Sequence, residues 1–251
     1  MHHFFAGYGG GRKSILPGVS GASTITQNHL HTLDPMEDQS NPLTGCGLLG
    51  KNPVHEDMVE AAAMVAPVFS LNVVCDGEGQ HVALVGGHWQ KAWEESCRIV
   101  NQVAGVPLES KADIVVASCG GFPKDINLYQ GAKSLLNAAA AVKEGGTLLL
   151  LARCNEGGGP PEFFDWCTSQ AKGTLYQDLR AGYTISGYIF YLCCAAARHI
   201  NIRLLTEIPA DVLAPMGIHG VSTAGELLQG IDMQGKDIIV MPHAGGTVPL
   251  S

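Results

Sequence analysis

DIVVASCGGFPKDINLYQGAKSLLNAAAAVKEGGTLLLLAR, residues 113–153, decides the fold. IVVAS (114–118) is a short unbroken apolar run, the kind buried on both faces of a parallel sheet. CGGFPKD (119–125) follows as a loop. The stretch 127–143 reads as an Ala-rich helix closed by Glu144-Gly145-Gly146, and TLLLLAR (147–153) is a second buried strand. The rhythm continues with strands at 201–205 (NIRLL) and 237–242 (DIIVMP), a short helix at 162–170 and another near 223–230. Strand, helix and strand in repeated succession imply a Rossmann-like doubly wound α/β domain. Ligands of such sheets sit beyond the carboxyl ends of the strands, which puts the loops 119–133 and 154–163 at the expected site.

Upstream the pattern differs. PVHEDMVEAAAMVAP (53–67) reads as a helix with Pro at its start, acids in its first turn and an Ala/Met/Val face. FSLNVVC (69–75) and HVALV (81–85) alternate as strands, and the turn signal DGEGQ (76–80) makes them a hairpin. From Trp89 to about Ala104 the helical period returns, with Trp89, Trp93, Cys97 and Val100 on one face. A linker is expected at 107–112. The chain thus divides into a first α/β part, 1–108, and a second α/β domain, 109–251.

Bulk properties narrow the functional classes. The 251 residues carry 46% hydrophobic and 15% charged residues with 32 Gly, as in a compact enzyme-like α/β chain. A formal charge of −8 argues against a nucleic-acid partner, because phosphate neutralisation needs a basic surface. No apolar run reaches the ~18 residues that span a bilayer. With no signal-peptide pattern either, no membrane association and a cytoplasmic location are expected. The eight Cys lack zinc-type spacing, with no C-x-x-C, and read as small buried hydrophobes.

The first 31 residues are poor core material and look like a ligand site. Gly9-Gly10-Gly11-Arg12 leads into Lys13, then through Pro17 and Gly18 to a helix carrying His29 and His31. Lys13 reads either as a solvated cation or as a phosphate contact or covalent attachment point beside backbone N–H groups that the glycines expose. GxxxxGK[ST] is absent, so this is not a Walker motif. His29 and His31 stand two residues apart and cannot both ligate one metal from a regular helix. One of them could serve a metal whose other donors come from a cofactor, or could simply be a satisfied core residue. His3, with His2, reads as either a terminal residue or an acid/base group. Tyr129, Gln130 and Lys133 cluster near a helix start, with Gln130 and Lys133 sharing a face at i, i+3. A cation and an amide there suit a carboxylate or phosphate.

HFFAGYGGGRKSILPG (3–18), STITQNH (23–29) and GGFPKDINLYQGAK (120–133) resemble the signatures of the nickel-dependent lactate racemase family. The spacings fit, ten residues from His3 to Lys13 and sixteen from Lys13 to His29, and the likeness runs to MPHAGGTVP (241–249). The resemblance implies racemisation or epimerisation of a 2-hydroxy acid by proton-coupled hydride transfer. It implies nickel held in a pincer nucleotide, pyridinium-3,5-bisthiocarboxylic acid mononucleotide. In that reading His3 is a catalytic acid/base, Lys133 and Gln130 serve the substrate carboxylate, and His29 is the metal ligand. Lys13, Gly10, Gly11, Arg12 and Tyr129 contact the cofactor. The family carries a further amino-terminal segment with a second histidine, so a missing segment or partner chain, bare apolar surface and an impaired activity are expected of this chain. The very apolar GYTISGYIFYLCCAA (182–196) departs from the family pattern. Two other readings compete: a non-catalytic nucleotide-binding module or one piece of a split enzyme, and an ordinary dehydrogenase. The lack of G-x-G-x-x-G after a strand argues against the last.

Overall fold

The computed structural model describes residues 2–77 and 79–250. The chain forms two compact units, Met1–Gly105 and Val106–Ser251. In the first, β1 (His2–His3) pairs antiparallel with β2 (Ala6–Tyr8). A single 3-10 turn, Gly11–Ser14, leads to α1 (Ala22–Leu30), and β3 (Gly45–Cys46) then lies parallel to β2. α2 (Pro53–Val65) follows, then β4 (Ser70–Cys75), β5 (His81–Gly87) and α3 (Trp89–Ala104).

The hairpin and both helices stand where periodicity put them. β4 and β5 pair antiparallel, and within their turn Glu78 lies outside the described residues. Trp89, Trp93, Cys97 and Val100 are all buried on one face of α3. The inner face of the hairpin packs there, with Val74, Trp93, Cys97, Val100 and Tyr8 in one cluster. Its outer face is different. Leu71, Val73 and Leu84 are exposed by 59%, 50% and 68%, and Phe69 beside them is exposed too. α2 starts cleanly because Asn52 caps it, Oδ1 accepting from Val54 N and His55 N, with Pro53 in the first turn. The amide of Asn52 turns the other way, donating to Phe5 O at 2.7 Å and Leu48 O at 2.9 Å. The helix start is thereby anchored to the strand-turn segment that carries His3.

The second unit opens with β6 (Gly105–Pro107), β7 (Ala112–Ser118), α4 (Leu128–Ala139) and β8 (Val142–Leu151). α5 (Trp166–Lys172), α6 (Leu175–Ala181), α7 (Ile185–His199) and β9 (Asn201–Leu205) follow. The unit closes with α8 (Ala210–Leu213), β10 (Ile218–Val221), α9 (Ala224–Leu228), β11 (Ile238–Met241) and β12 (Val248–Leu250). Five strands form one parallel sheet in the order β10-β9-β8-β7-β11. The order reverses at β7: the chain runs outward through β8, β9 and β10, then returns to place β11 on the other side. α9 covers one face, where Leu227 meets Ile114, Leu149 and Val221, while α4 packs on β7 and β8. The expected doubly wound α/β fold is present. β12 pairs with β6 in a separate two-stranded sheet, so part of the stretch expected as a linker is a strand.

One expectation is corrected. The helix expected over 127–143 stops at Ala139, and residues 142–146 belong to β8, whose pairing with β7 is irregular between Ala112 and Ile114. The apolar 182–196 stretch is mostly α7, a core helix capped by Thr184 Oγ1, with Tyr188, Phe190, Tyr191, Cys193 and Cys194 buried. Its apolarity is that of a helix enclosed on most sides. All eight Cys are free thiols, and five are buried. Among the described residues no helix is long and apolar enough to cross a membrane.

Candidate functional site

The first unit gathers two of the expected residues around one ring, with a third near one of them. His3 and His29 both meet Phe5 edge-on, with ring centroids 5.4 and 5.5 Å away. Lys13, on the 3-10 turn, is close enough for its charge to act on His29. His29 lies in the last turn of α1 and is 2% exposed, whereas His31 just beyond is exposed to solvent. Burial holds the His29 pKa below its ordinary value, opposed by a hydrogen bond to Ile25 O and aided by Lys13. That bond fixes the tautomer. A carbonyl only accepts, so Nδ1, 2.8 Å from Ile25 O, carries the proton and Nε2 keeps its lone pair. Asn28 secures this end of α1, its amide donating to Val54 O and Asp57 Oδ2 of α2.

His3 is set the opposite way. Its Nδ1 accepts from Phe5 N at 3.3 Å and Ala6 N at 3.2 Å, closing the turn between β1 and β2. In the neutral ring the proton is therefore on Nε2. His2 is no loose terminal residue. Its Nε2 donates to Asn101 Oδ1 at 2.8 Å and its ring lies 4.9 Å from that of Tyr8.

Arg12 was expected at the cofactor, and the structure corrects this for its side chain. It is 1% exposed and points inward. The guanidinium donates to Tyr8 O at 2.9 Å, to Ala6 O and to His55 Nδ1 at 2.9 Å, and lies 4.0 Å from the centre of the Trp93 ring. Burial lowers its pKa to about 10. Each guanidinium nitrogen makes one hydrogen bond inside the unit, so Arg12 holds the Gly9–Lys13 segment to the core. Gly11 is committed as well. Its N–H donates to Asn72 Oδ1 at 3.0 Å, and a Cβ on it would lie 2.5 Å from the Trp93 ring. Gly10 is exposed with φ of 68°, a backbone state that L side chains rarely adopt. The expected cradle of open glycine N–H groups is thus partly sewn shut.

In the second unit, Tyr129, Gln130 and Lys133 stand at the start of α4, at the carboxyl end of β7. Lys133 Nζ donates to Gln130 Oε1 at 2.9 Å, so the i, i+3 pair meets. Burial lowers the Lys133 pKa and raises that of Tyr129. Among the described residues no carboxylate pairs with the half-buried Lys133 ammonium. The backbone of the helix start offers an anion less than expected. Leu128 N donates to Gly157 O, Tyr129 N to Gly158 O and Gln130 N to Asn127 Oδ1. Recognition here falls to side chains. One residue escaped the sequence reading: His243, after β11, whose ring lies against Gly120. A lone His between Pro and Ala has no spacing signal, and only the return of β11 beside β7 brings it to this end of the sheet. Among the described residues no group of three or more His, Cys, Asp or Glu is placed to hold a metal.

These features define a doubly wound α/β chain with one polar cluster in each unit, and the known proteins it resembles are consistent with one another. Residues 1–40 match the lactate racemase N-terminal domain and residues 108–181 the lactate racemase C-terminal domain. The lactate racemase of Thermoanaerobacterium thermosaccharolyticum is 42% identical over 164 residues, 65% of this chain and 37% of that one. The lactate racemase of Lactiplantibacillus plantarum is 37% identical over 162 residues, 64% of this chain and 37% of the relative. The T. thermosaccharolyticum lactate racemase apoprotein superposes with a TM-score of 0.88 at 30% identity, covering all of this chain and 61% of that structure. A Thermotoga maritima protein shares the fold at a TM-score of 0.67 and 16% identity, over all of this chain and 64% of that one. Over residues 1–40 and 108–181 the chain is similar to the lactate racemase family. It spans little more than a third of the length of its two curated relatives.

Proposed function

We propose that this chain carries the cofactor-holding and substrate-holding residues of a 2-hydroxy-acid racemase or epimerase acting on a lactate-like acid. The observation that carries this reading is the Phe5 ring, which His3 and His29 both meet edge-on, with the His29 Nε2 left unprotonated. The relatives named lactate racemase support the reaction class. Among the described residues no cluster of three or more donors is placed to hold a metal, so a metal at His29 would bring most of its ligands with it. His29, offering one soft-compatible neutral nitrogen, fits the remaining position of such a metal. A nickel pincer nucleotide fits this donor set, and when bound it supplies a centre that accepts and returns hydride. Lys13 is its attachment point, and Gly10 is an outer contact.

The chain's own residues account for the rest. Lys133 binds the substrate carboxylate, and Gln130 steadies the ammonium through its Oε1. His3 takes the 2-hydroxyl proton and later returns it. In its present pose Nδ1 is engaged with two backbone N–H groups, so this work requires the ring to turn and release those long bonds. The 2-oxo acid that would result is planar at carbon 2 and so keeps no handedness of its own. A further acid/base group on the other side is proposed to come from an additional segment or a partner chain.

Intact mass and nickel analysis of protein co-produced with cofactor-making enzymes tests the reading. We expect added mass that is lost in Lys13→Ala and about one nickel per chain, by the single-ligand argument above, that is lost in His29→Ala. An unmodified mass with no nickel in the unaltered chain would overturn it.

A further inference from the structure

The reversal of strand order at β7 makes the carboxyl ends of β7 and β11 the switch point of the sheet, the place where open α/β sheets hold their ligands. Gly120 lies just after β7 and His243 just after β11. They are in close contact: a Cβ at residue 120 would lie 2.9 Å from His243 Nδ1, with Cε1 and Cγ farther, at 3.8 and 3.9 Å. The Nδ1 edge therefore faces the loop, and the Nε2 edge is turned away from it. Gly120 has φ of +85°, so both its backbone state and the imidazole beside it exclude a side chain.

The loop behind His243 is fastened to α4. Asn137 Nδ2 donates to Ala244 O at 2.8 Å, and Ser134 Oγ lies 3.0 Å from where a Cβ of Gly245 would be. Thr247 Oγ1 and Gly246 N both donate to His243 O. Gln130, Lys133, Ser134 and Asn137 follow i, i+3, i+4, i+7 spacing, one stripe of α4 that runs from this loop to the helix start. Lys133 reaches back along that stripe to Gln130, toward the same end of the sheet. The His243 side chain is solvent-exposed and makes no hydrogen bond within the described residues. An ammonium with no carboxylate partner among the described residues and an uncommitted imidazole thus stand at one switch point.

We infer that His243 is a substrate-binding residue of the second unit: it and Lys133 together hold the anionic group of the 2-hydroxy acid between β7 and β11. The inference rests on the proposed substrate class and adds a residue and a place to it. The anionic group could equally be a phosphate of a nucleotide, so both anions enter the test.

Imidazole resonances of the full chain are followed while L-lactate and, separately, inorganic phosphate are added. We expect lactate to shift the His243 ring and the shift to vanish in Lys133→Ala. We expect His243→Ala to weaken lactate binding about tenfold, the scale of one charge-assisted hydrogen bond, with unchanged melting temperature. His243→Gln, which keeps an N–H donor, should recover part of it. Lactate binding that leaves the ring unmoved and survives His243→Ala would overturn the inference while sparing the proposed function. A response to phosphate alone would overturn the assignment to the substrate. No lactate binding anywhere on the chain would overturn the proposed substrate class itself.

Discussion

Arg12 and His55 show how one residue can look functional in sequence and be structural in space. Arg12 follows a glycine run and precedes the expected cofactor lysine, yet its guanidinium is enclosed by Tyr8 O, Ala6 O, His55 and Trp93. His55 accepts from Arg12 Nε through Nδ1 and stacks on Trp93 at 5.3 Å. Burial first, and the neighbouring Arg12 charge second, push the His55 pKa down from 6.5 to about 4. Above pH 6.5 the ring is neutral whether folded or unfolded and has no pH effect. As pH falls from 6.5 towards 4, the unfolded chain takes up a proton that the folded one refuses, and stability drops. With solvent screening allowed for, the loss is about 1–2 kcal/mol. Urea unfolding at pH 7 and pH 4.5 should show this loss shrinking in His55→Gln. An equal loss in both proteins would contradict the protonation account.

At the scale of elements, periodicity located most of the chain and misread it where two signals overlapped. The hairpin, α2 and α3 were legible because alternation, an Asn-Pro start and a one-sided apolar face are local properties. The end of α4 was not, because Ala138 to Ala141 continues a helical composition and Glu144-Gly145-Gly146 imitates a helix stop. Sheet pairing beside β7 instead claims Val142 onward for β8. α7 carries no one-sided pattern, since it is apolar nearly all round. Its Gly187 lets Trp166 lie against the helix, with a Cβ there falling 2.5 Å from the ring. Gly187→Ala should therefore destabilise by about 2 kcal/mol, even though Ala is favoured over Gly in a helix by about 1 kcal/mol. Thermal melting decides, and an increase in Tm would show that Trp166 moves aside at little cost. The site was legible in the same partial way. Sequence pointed to His3, Lys13 and His29, but the hydrogen bonds that set opposite tautomers on the two histidines depend on Phe5, Ala6 and Ile25 backbone positions that spacing does not encode.

For the molecule as a whole, the outer face of the β4–β5 hairpin is its most conspicuous surface. A two-stranded sheet is marginal by itself and gains support from α3 on one side only. Phe69, Leu71, Val73 and Leu84 remain exposed on the other. Isolated protein should bind a dye of apolar surfaces and self-associate with rising concentration. Val73→Thr with Leu84→Lys should reduce both without lowering Tm, because neither side chain contributes to the buried cluster. Unchanged dye binding would place the apolar surface elsewhere.

The sheet order has a consequence in time. β7, α4 and β8 are adjacent in sequence and can pair soon after they leave the ribosome, whereas β11 follows every other strand of that sheet. A nascent chain that has finished β10 already holds Lys133 and Gly120 but has no second wall beside them. The switch point at β7 is complete only when the segment bearing His243 arrives. Until then a growing chain presents the unpaired edge of β7 to its surroundings, and the last strand of that sheet to be made seals the edge and brings His243 beside Gly120.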